Sequence, residues 1–204
     1  KWSSVHWEGQ QHFHGNMNGS EGNTSFHLQP CLGEKFFEWN SVSTRDIFSL
    51  NEKKNVPKNT AAVHFRGGDF FAWNKDAVLD KNYYLKAVEE IKNQVDHFII
   101  FTDDESLDSY NEVEMYFEDN DISYDIGQNS SNRFEYIEDF STMSSCDYII
   151  SSPSTYCVCA GFIGTKKKII HSEDWIKNRV EAEDTFWVDL HNGGNDDYRI
   201  WKLI

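Results

Sequence analysis

The chain has 204 residues, enough for one domain or one and a half with a substantial core. Hydrophobic residues make up 39% and aromatics 15%, which excludes a disordered chain. The balance of 19 Lys+Arg against 34 Asp+Glu, net −15, argues against nucleic acid, whose phosphate backbone calls for a basic face.

A nucleotide is not excluded by that charge, because one or two local Arg or Lys residues suffice for a diphosphate. Cys31, Cys146, Cys157 and Cys159 show neither metal nor redox spacing, since Cys157 and Cys159 are separated by one residue and no second pair answers them. They read as buried or free thiols, which favours a reducing compartment. The sequons at Asn18, Asn23 and Asn129 carry little weight without a signal peptide, and no apolar run approaches a membrane span. A cytoplasmic location is therefore expected. Residue 1 is Lys rather than Met, so an upstream piece is also expected.

Residues 1–30 are polar and glycine-rich, with Trp2, Trp7 and Phe13 scattered through them. His6, His12 and His14 lack Cys or carboxylate partners at regular spacing and read as surface or packing histidines. Between Gly33 and Leu50 the pattern is partly helical, with Ser43 or Thr44 as a cap. Asn51–Thr60 is a charged, Pro-containing linker that sets a domain boundary, leaving 1–59 as an N-terminal segment.

The run Ala61-Ala62-Val63-His64-Phe65-Arg66 reads as a buried strand opening at Gly67-Gly68-Asp69 into a tight loop. Ligands of open α/β sheets bind outside the carboxyl ends of strands, so His64, Arg66 and Asp69 are expected to face a crevice. There Arg66 either grips a phosphate with its bidentate fork or ties down the loop by pairing with Asp69. Phe70–Asp80 reads as loop. Lys81–Gln94 reads as an amphipathic helix with Tyr84, Leu85, Val88 and Ile91 as its stripe. His97–Thr102 is a continuous apolar strand ending at Asp103-Asp104.

Further helices are expected over Ser106–Glu118, Phe134–Cys146 and Tyr156–Gly164. Strands are expected at Ile122–Ile126, Asp147–Ile150 and Lys168–Ile170, the last taken as the final clear strand. This alternation is the signature of a Rossmann-like parallel sheet of the α/β class, spanning 60–175. Ser151-Ser152-Pro153-Ser154-Thr155 precedes a helix N-terminus, which suits a phosphate or equally serves as an ordinary Ser/Thr cap. Lys166-Lys167-Lys168 reads as a solvated turn. The tail 176–204 is expected to pack back on the core through its aromatics.

Three segments, in order, resemble the α-1,2-fucosyltransferase family (glycosyltransferase family 11-like) within the wider GDP-fucose-dependent superfamily. His64-Phe65-Arg66-Gly67-Gly68-Asp69 is similar to the family's H-x-R-R-G-D motif, with Gly67 where the second Arg stands. Phe98–Asp104 is similar to its apolar strand ending in S-D-D. Asp139–Gly164 is similar to its Asp-containing helix, Ser-Thr-Phe loop and aliphatic helix. Leu28–Phe37 and Lys168–Trp175 also fit, so the resemblance covers roughly residues 28 to 175.

The resemblance implies a GT-B-type fold. It also implies inverting transfer of L-fucose from GDP-fucose to a glycan hydroxyl, with no cofactor and no required metal. Carried over by position, Arg66 would bind the donor β-phosphate and His64 would sit against the nucleotide. Asp139 would read the guanine edge, and Ser154 and Thr155 would hold the diphosphate. Asp103 matches a binding position, and Asp69 is the candidate general base. A whole GT-B enzyme runs longer than this chain, which leaves a minimal or truncated member, or an acceptor side built from residues 1–60 and the tail. Two other readings stand beside it. One is a metal-dependent GT-A-type glycosyltransferase using Asp103-Asp104 or Asp119-Asn120-Asp121. The other is a non-catalytic sugar- or nucleotide-binding remnant.

Overall fold

A computed structural model describes residues 54–127, 135–164, 167–181 and 201–204. The expectations for residues 1–53 (the histidines, the capped helix, an acceptor side), for the sequons, and for Phe186, Trp187 and Tyr198 of the tail lie outside the described residues.

The described chain alternates strand and helix. Its strands are β1 (Thr60–His64), β2 (His97–Phe101), β3 (Tyr124–Ile126), β4 (Tyr148–Ile150), β5 (Lys168–His171) and β6 (Trp201–Leu203). Its helices are α1 (Phe70–Trp73), α2 (Lys81–Ile91), α3 (Asp108–Asp119), α4 (Glu135–Ser145), α5 (Thr155–Ile163) and α6 (Glu173–Glu181). The six strands form one sheet in the order β3-β2-β1-β4-β5-β6, and every neighbouring pair is parallel. The Rossmann-like α/β expectation therefore holds.

β1 lies in the middle because it has no solvated face: all five of its residues are buried. Its alternating side chains feed two cores, as the period of two requires. Ala61, Val63 and the following Phe65 pack with Tyr84, Val88, Ile91, Val113 and Phe117. Ala62, on the other face, packs with Met143, Cys146, Cys157 and Ala160. Helices α2 and α3 thus cover one face and α4 and α5 the other. Burial of each large side chain in these layers contributes about 1.5–3 kcal/mol.

α2 shows how local sequence sets an element. The Asp80 carboxylate accepts the Tyr83 N–H at 3.1 Å and caps the first turn. Tyr83, Tyr84, Ala87, Val88 and Ile91 are buried at helical spacing, and the last residues of the predicted span tighten into a 3-10 turn at Lys92–Gln94.

Three segments depart from expectation. Phe70–Asp80 contains the four-residue α1 and a 3-10 turn at Lys75–Ala77, both too short to leave a period in the sequence. The last described strand is β6, whose three residues pair with the outer edge of β5. The lysines at the start of β5 are not simply solvated: Lys167, just before the strand, pairs with Asp147, and Lys168, its first residue, joins Glu90 of α2. No described helix is long and apolar enough to cross a membrane.

Candidate active site

The strand order fixes where a ligand crevice lies. The chain runs outward from β1 to β2 and β3, then returns to place β4 on β1's other side. The loops leaving β1 and β4 turn opposite ways and open a gap at the carboxyl edge, the switch point where such sheets bind ligands. His64 ends β1 and Ser151–Ser154 follow β4, so two segments 88 residues apart in sequence meet there.

The meeting is a hydrogen bond of 2.7 Å between His64 Nδ1 and Ser152 Oγ. His64 is 7% exposed and Ser152 fully buried. Burial, reinforced by the Arg66 charge, lowers the His64 pKa to about 3, so its ring is neutral at ordinary pH. Tyr156, in the first turn of α5, lies with its ring 5.9 Å from that of His64 and 5.3 Å from that of Phe140 on α4. Burial and then the Asp139 carboxylate push the Tyr156 phenol well up, and its hydroxyl donates to the Tyr136 carbonyl. Asp139, in the first half of α4, is therefore an electrostatic neighbour of the aromatic that faces His64.

Ser154 stands at the N-cap of α5 in extended conformation but makes no side-chain capping bond. The ordinary-cap explanation therefore does not account for this hydroxyl. Thr155 opens the helix and is exposed. Backbone N–H groups of a first helical turn have no intrahelical partners and favour an anion.

The other side of the switch point is charged. Arg66 lies just past β1, its guanidinium held by Asp69 Oδ1 at 2.6 Å and Asp103 Oδ2 at 2.8 Å, and stacked on Phe70 at 4.9 Å. Its Nε is buried without a partner among the described residues. Asp69 is 73% exposed, so its ion pair contributes only about 0–1 kcal/mol. Asp103 is more deeply set at 28% and also accepts the Gly67 N–H at 2.8 Å, tying the glycine loop to the end of β2. Both pairings open at Arg66, phosphate grip and loop tie, thus concern one side chain. The tie to Asp69 is observed, and the stronger anchor is Asp103.

The glycines are explained by this anchoring. Gly68 has φ +42°, and a Cβ there would stand 2.9 Å from Asp103 Oδ2. A Cβ at Gly67 would stand 2.8 Å from Leu107 Cδ2 and 3.0 Å from Asp104 Cβ. A side chain at the position of the motif's second Arg would thus have to displace Leu107 and press on Asp104 in the β2–α3 segment. Asp104 itself accepts from the Ser106 hydroxyl and N–H, which hold its carboxyl below the usual range.

Of the residues singled out from sequence, His64, Ser154, Thr155 and Asp139 gather on the β4 side and Arg66, Asp69 and Asp103 on the β2 side. Ser152 and Tyr156 were missed as site residues. Ser152 lay inside a flagged loop, but nothing local distinguishes it from Ser151. Asp119–Asp121 ends α3 and precedes β3, at the amino edge away from the crevice. Among the described residues, no group of three or more His, Cys, Asp or Glu is placed to hold a metal ion.

The model of glycosyl transferase family 11 matches residues 33–189. The chain belongs to glycosyl transferase family 11. That span takes in the glycine loop, Asp103, Asp139 and the Ser-Thr loop together, in agreement with the resemblance of the motifs. No curated protein and no solved structure matches the chain. As a member of this family the protein is a glycosyltransferase, an activity that takes a nucleotide-sugar donor and a glycan acceptor.

Proposed function

We propose that this glycosyltransferase moves L-fucose from GDP-fucose to a glycan hydroxyl, with inversion, in an α-1,2 linkage and without a required metal. The observation that carries the reading is the convergence of the two motif loops at the β1/β4 switch point, joined by the His64–Ser152 bond.

In this reading the acceptor oxygen attacks the anomeric carbon from the face opposite the diphosphate. The bond from that carbon to the β-phosphate oxygen breaks, and negative charge grows on the leaving GDP. Arg66 meets that charge through its fork, and the first N–H groups of α5, with Ser154 and Thr155, meet the diphosphate from the other side. Donors set in advance stabilise the transition state more than the ground state. These groups take the part that a divalent cation plays in metal-dependent transferases. Asp139 offers two acceptor oxygens to the N1–H and 2-amino group of guanine. Asp69, exposed and one ion pair from Arg66, takes the acceptor proton. Asp103 holds Arg66 and the glycine loop in place.

Gly67 gives specific support to the second reading, a nucleotide-binding remnant, because one cation of the motif is replaced. Calorimetric titration of GDP, UDP and ADP, with and without EDTA, followed by a transfer assay with GDP-fucose, tests both. Selective, EDTA-insensitive GDP binding with transfer is expected. UDP preference that EDTA abolishes overturns the proposal in favour of a GT-A-type enzyme, and GDP binding without transfer favours the remnant.

A further inference from the structure

Ser152 is a buried hydroxyl that the motif reading leaves without a task. Its surroundings are fixed from several directions. The Ser151 hydroxyl donates to the Ser152 carbonyl at 2.7 Å. The Tyr83 hydroxyl bridges the Ser151 and Ile170 carbonyls at 2.7 and 3.0 Å, while the Tyr84 hydroxyl donates to the His64 carbonyl at 3.2 Å. Adjacent tyrosines of α2 therefore hold the His64 backbone on one side and, on the other, that of Ser151, which precedes Ser152.

The proton arrangement follows from the inventory of donors and acceptors. A neutral imidazole has one N–H and one lone pair. A buried hydroxyl that fails to donate leaves its proton unsatisfied at a cost of about 1–3 kcal/mol. Among the described residues, the acceptor within reach of the Ser152 hydroxyl is His64 Nδ1. The hydroxyl therefore donates, Nδ1 accepts, and the ring proton sits on Nε2. Nε2 has no hydrogen-bond partner among the described residues, and it is not a buried orphan like Arg66 Nε. In the opposite tautomer Nε2 would present a lone pair and repel phosphate oxygens.

We infer that Ser152 is a positioning residue that fixes the His64 proton on Nε2, making the ring a neutral hydrogen-bond donor for the diphosphate of a nucleotide at the switch point. The ligand half of this inference rests on the nucleotide-sugar reading above, and the tautomer half does not. A neutral donor suits a chain of net charge −15 whose nearest cation, Arg66, is already shared between two carboxylates. It adds a phosphate contact without another cation for those carboxylates to capture.

Long-range ¹H–¹⁵N correlation spectra of the full chain report the tautomer directly, before and after GDP is added. The wild type is expected to show the Nε2–H form, with the Nε2–H resonance moving on GDP addition. Ser152→Ala removes the buried partner of Nδ1, so His64 is expected to lose its fixed Nε2–H tautomer and populate both forms, with GDP binding weakened about tenfold and Tm lowered by about 4 °C. A wild type in the Nδ1–H form, an S152A variant that keeps both Nε2–H and full GDP affinity, or an Nε2–H resonance unmoved by bound GDP overturns the inference. Should S152A not fold, the wild-type spectra decide alone. A chain that shows the Nε2–H form but binds no GDP overturns the nucleotide reading and supports Ser152 as the tautomer's keeper.

Discussion

The two edges of the sheet are built from the same strands to opposite ends. At the amino edge, the polar groups before β1, β4 and β5 close on one another. Asn59, at φ 58°, donates its N–H to Asp147 at 2.7 Å and its side-chain amide to Asp96, and accepts from Lys167. Asp147 is also paired with Lys167, and its backbone N–H reaches the Thr60 carbonyl. At the carboxyl edge, Arg66 Nε and His64 Nε2 lack described partners and the Ser154 hydroxyl makes no cap. The amino-edge hydrogen bonds hold the fold, and in the nucleotide-sugar reading the carboxyl-edge groups serve the donor. Polar substitutions at the amino edge should therefore cost stability, and those at the carboxyl edge should cost binding and turnover.

Arg66→Ala tests the contrast most severely. Turnover of GDP-fucose is expected to fall about 10²–10³-fold, as for loss of one preset transition-state donor. Tm should fall by only about 2–4 °C, because the Asp69 pair is exposed and Asp103 keeps the Gly67 N–H. Equal losses of melting temperature and activity would erase the distinction between the edges at this residue.

Asp69→Asn comes next. If Asp69 takes the acceptor proton, kcat drops about 10²-fold or more. GDP affinity should not weaken, since a carboxylate competing for Arg66 has gone. Steady-state kinetics beside calorimetry would separate the two, and an unchanged kcat would leave Asp69 as no more than the partner of Arg66.

On the amino edge, Asp147→Ala removes the acceptor shared by Asn59 and Lys167. About 1 kcal/mol of stability should be lost, read from a denaturant midpoint, with kcat and KM for the donor unaltered. A drop in turnover beyond the fraction unfolded would show that the edges are coupled. Ser154→Ala is the mildest change. With no cap bond to lose, Tm should stay within about 1 °C, while GDP binding weakens about 2–5-fold. A Tm loss typical of a working cap, as expected for Asp80→Ala at α2, would restore the ordinary-cap explanation.

The strands and the carboxyl-edge loops were legible before any coordinates, and the amino-edge network was not. Ala61–Val63 and Phe98–Ile100 are apolar without interruption, which only a strand covered on both faces tolerates, and alternating helices make such strands parallel. The glycine pair marked a loop, and the family resemblance named Arg66, Asp103 and Ser154 as candidates for one site. Less legible were the short pieces: α1 spans four residues and β6 three, below the length at which periodicity speaks. Lys167 and Lys168 looked solvated because their partners Asp147 and Glu90 lie 20 and 78 residues away.

The sequence by itself determined the alternation of elements, the family and the identity of the charged loop, because these rest on local pattern and residue type. Only the tertiary structure decided that β4 lies beside β1, that Asp103 joins Asp69 on Arg66, that Leu107 and Asp104 crowd Gly67, and that Ser152 meets His64. Each of these depends on a register between distant strands. A parallel sheet sets that register through backbone hydrogen bonds, which every residue except proline can make, and so leaves no mark on residue identity.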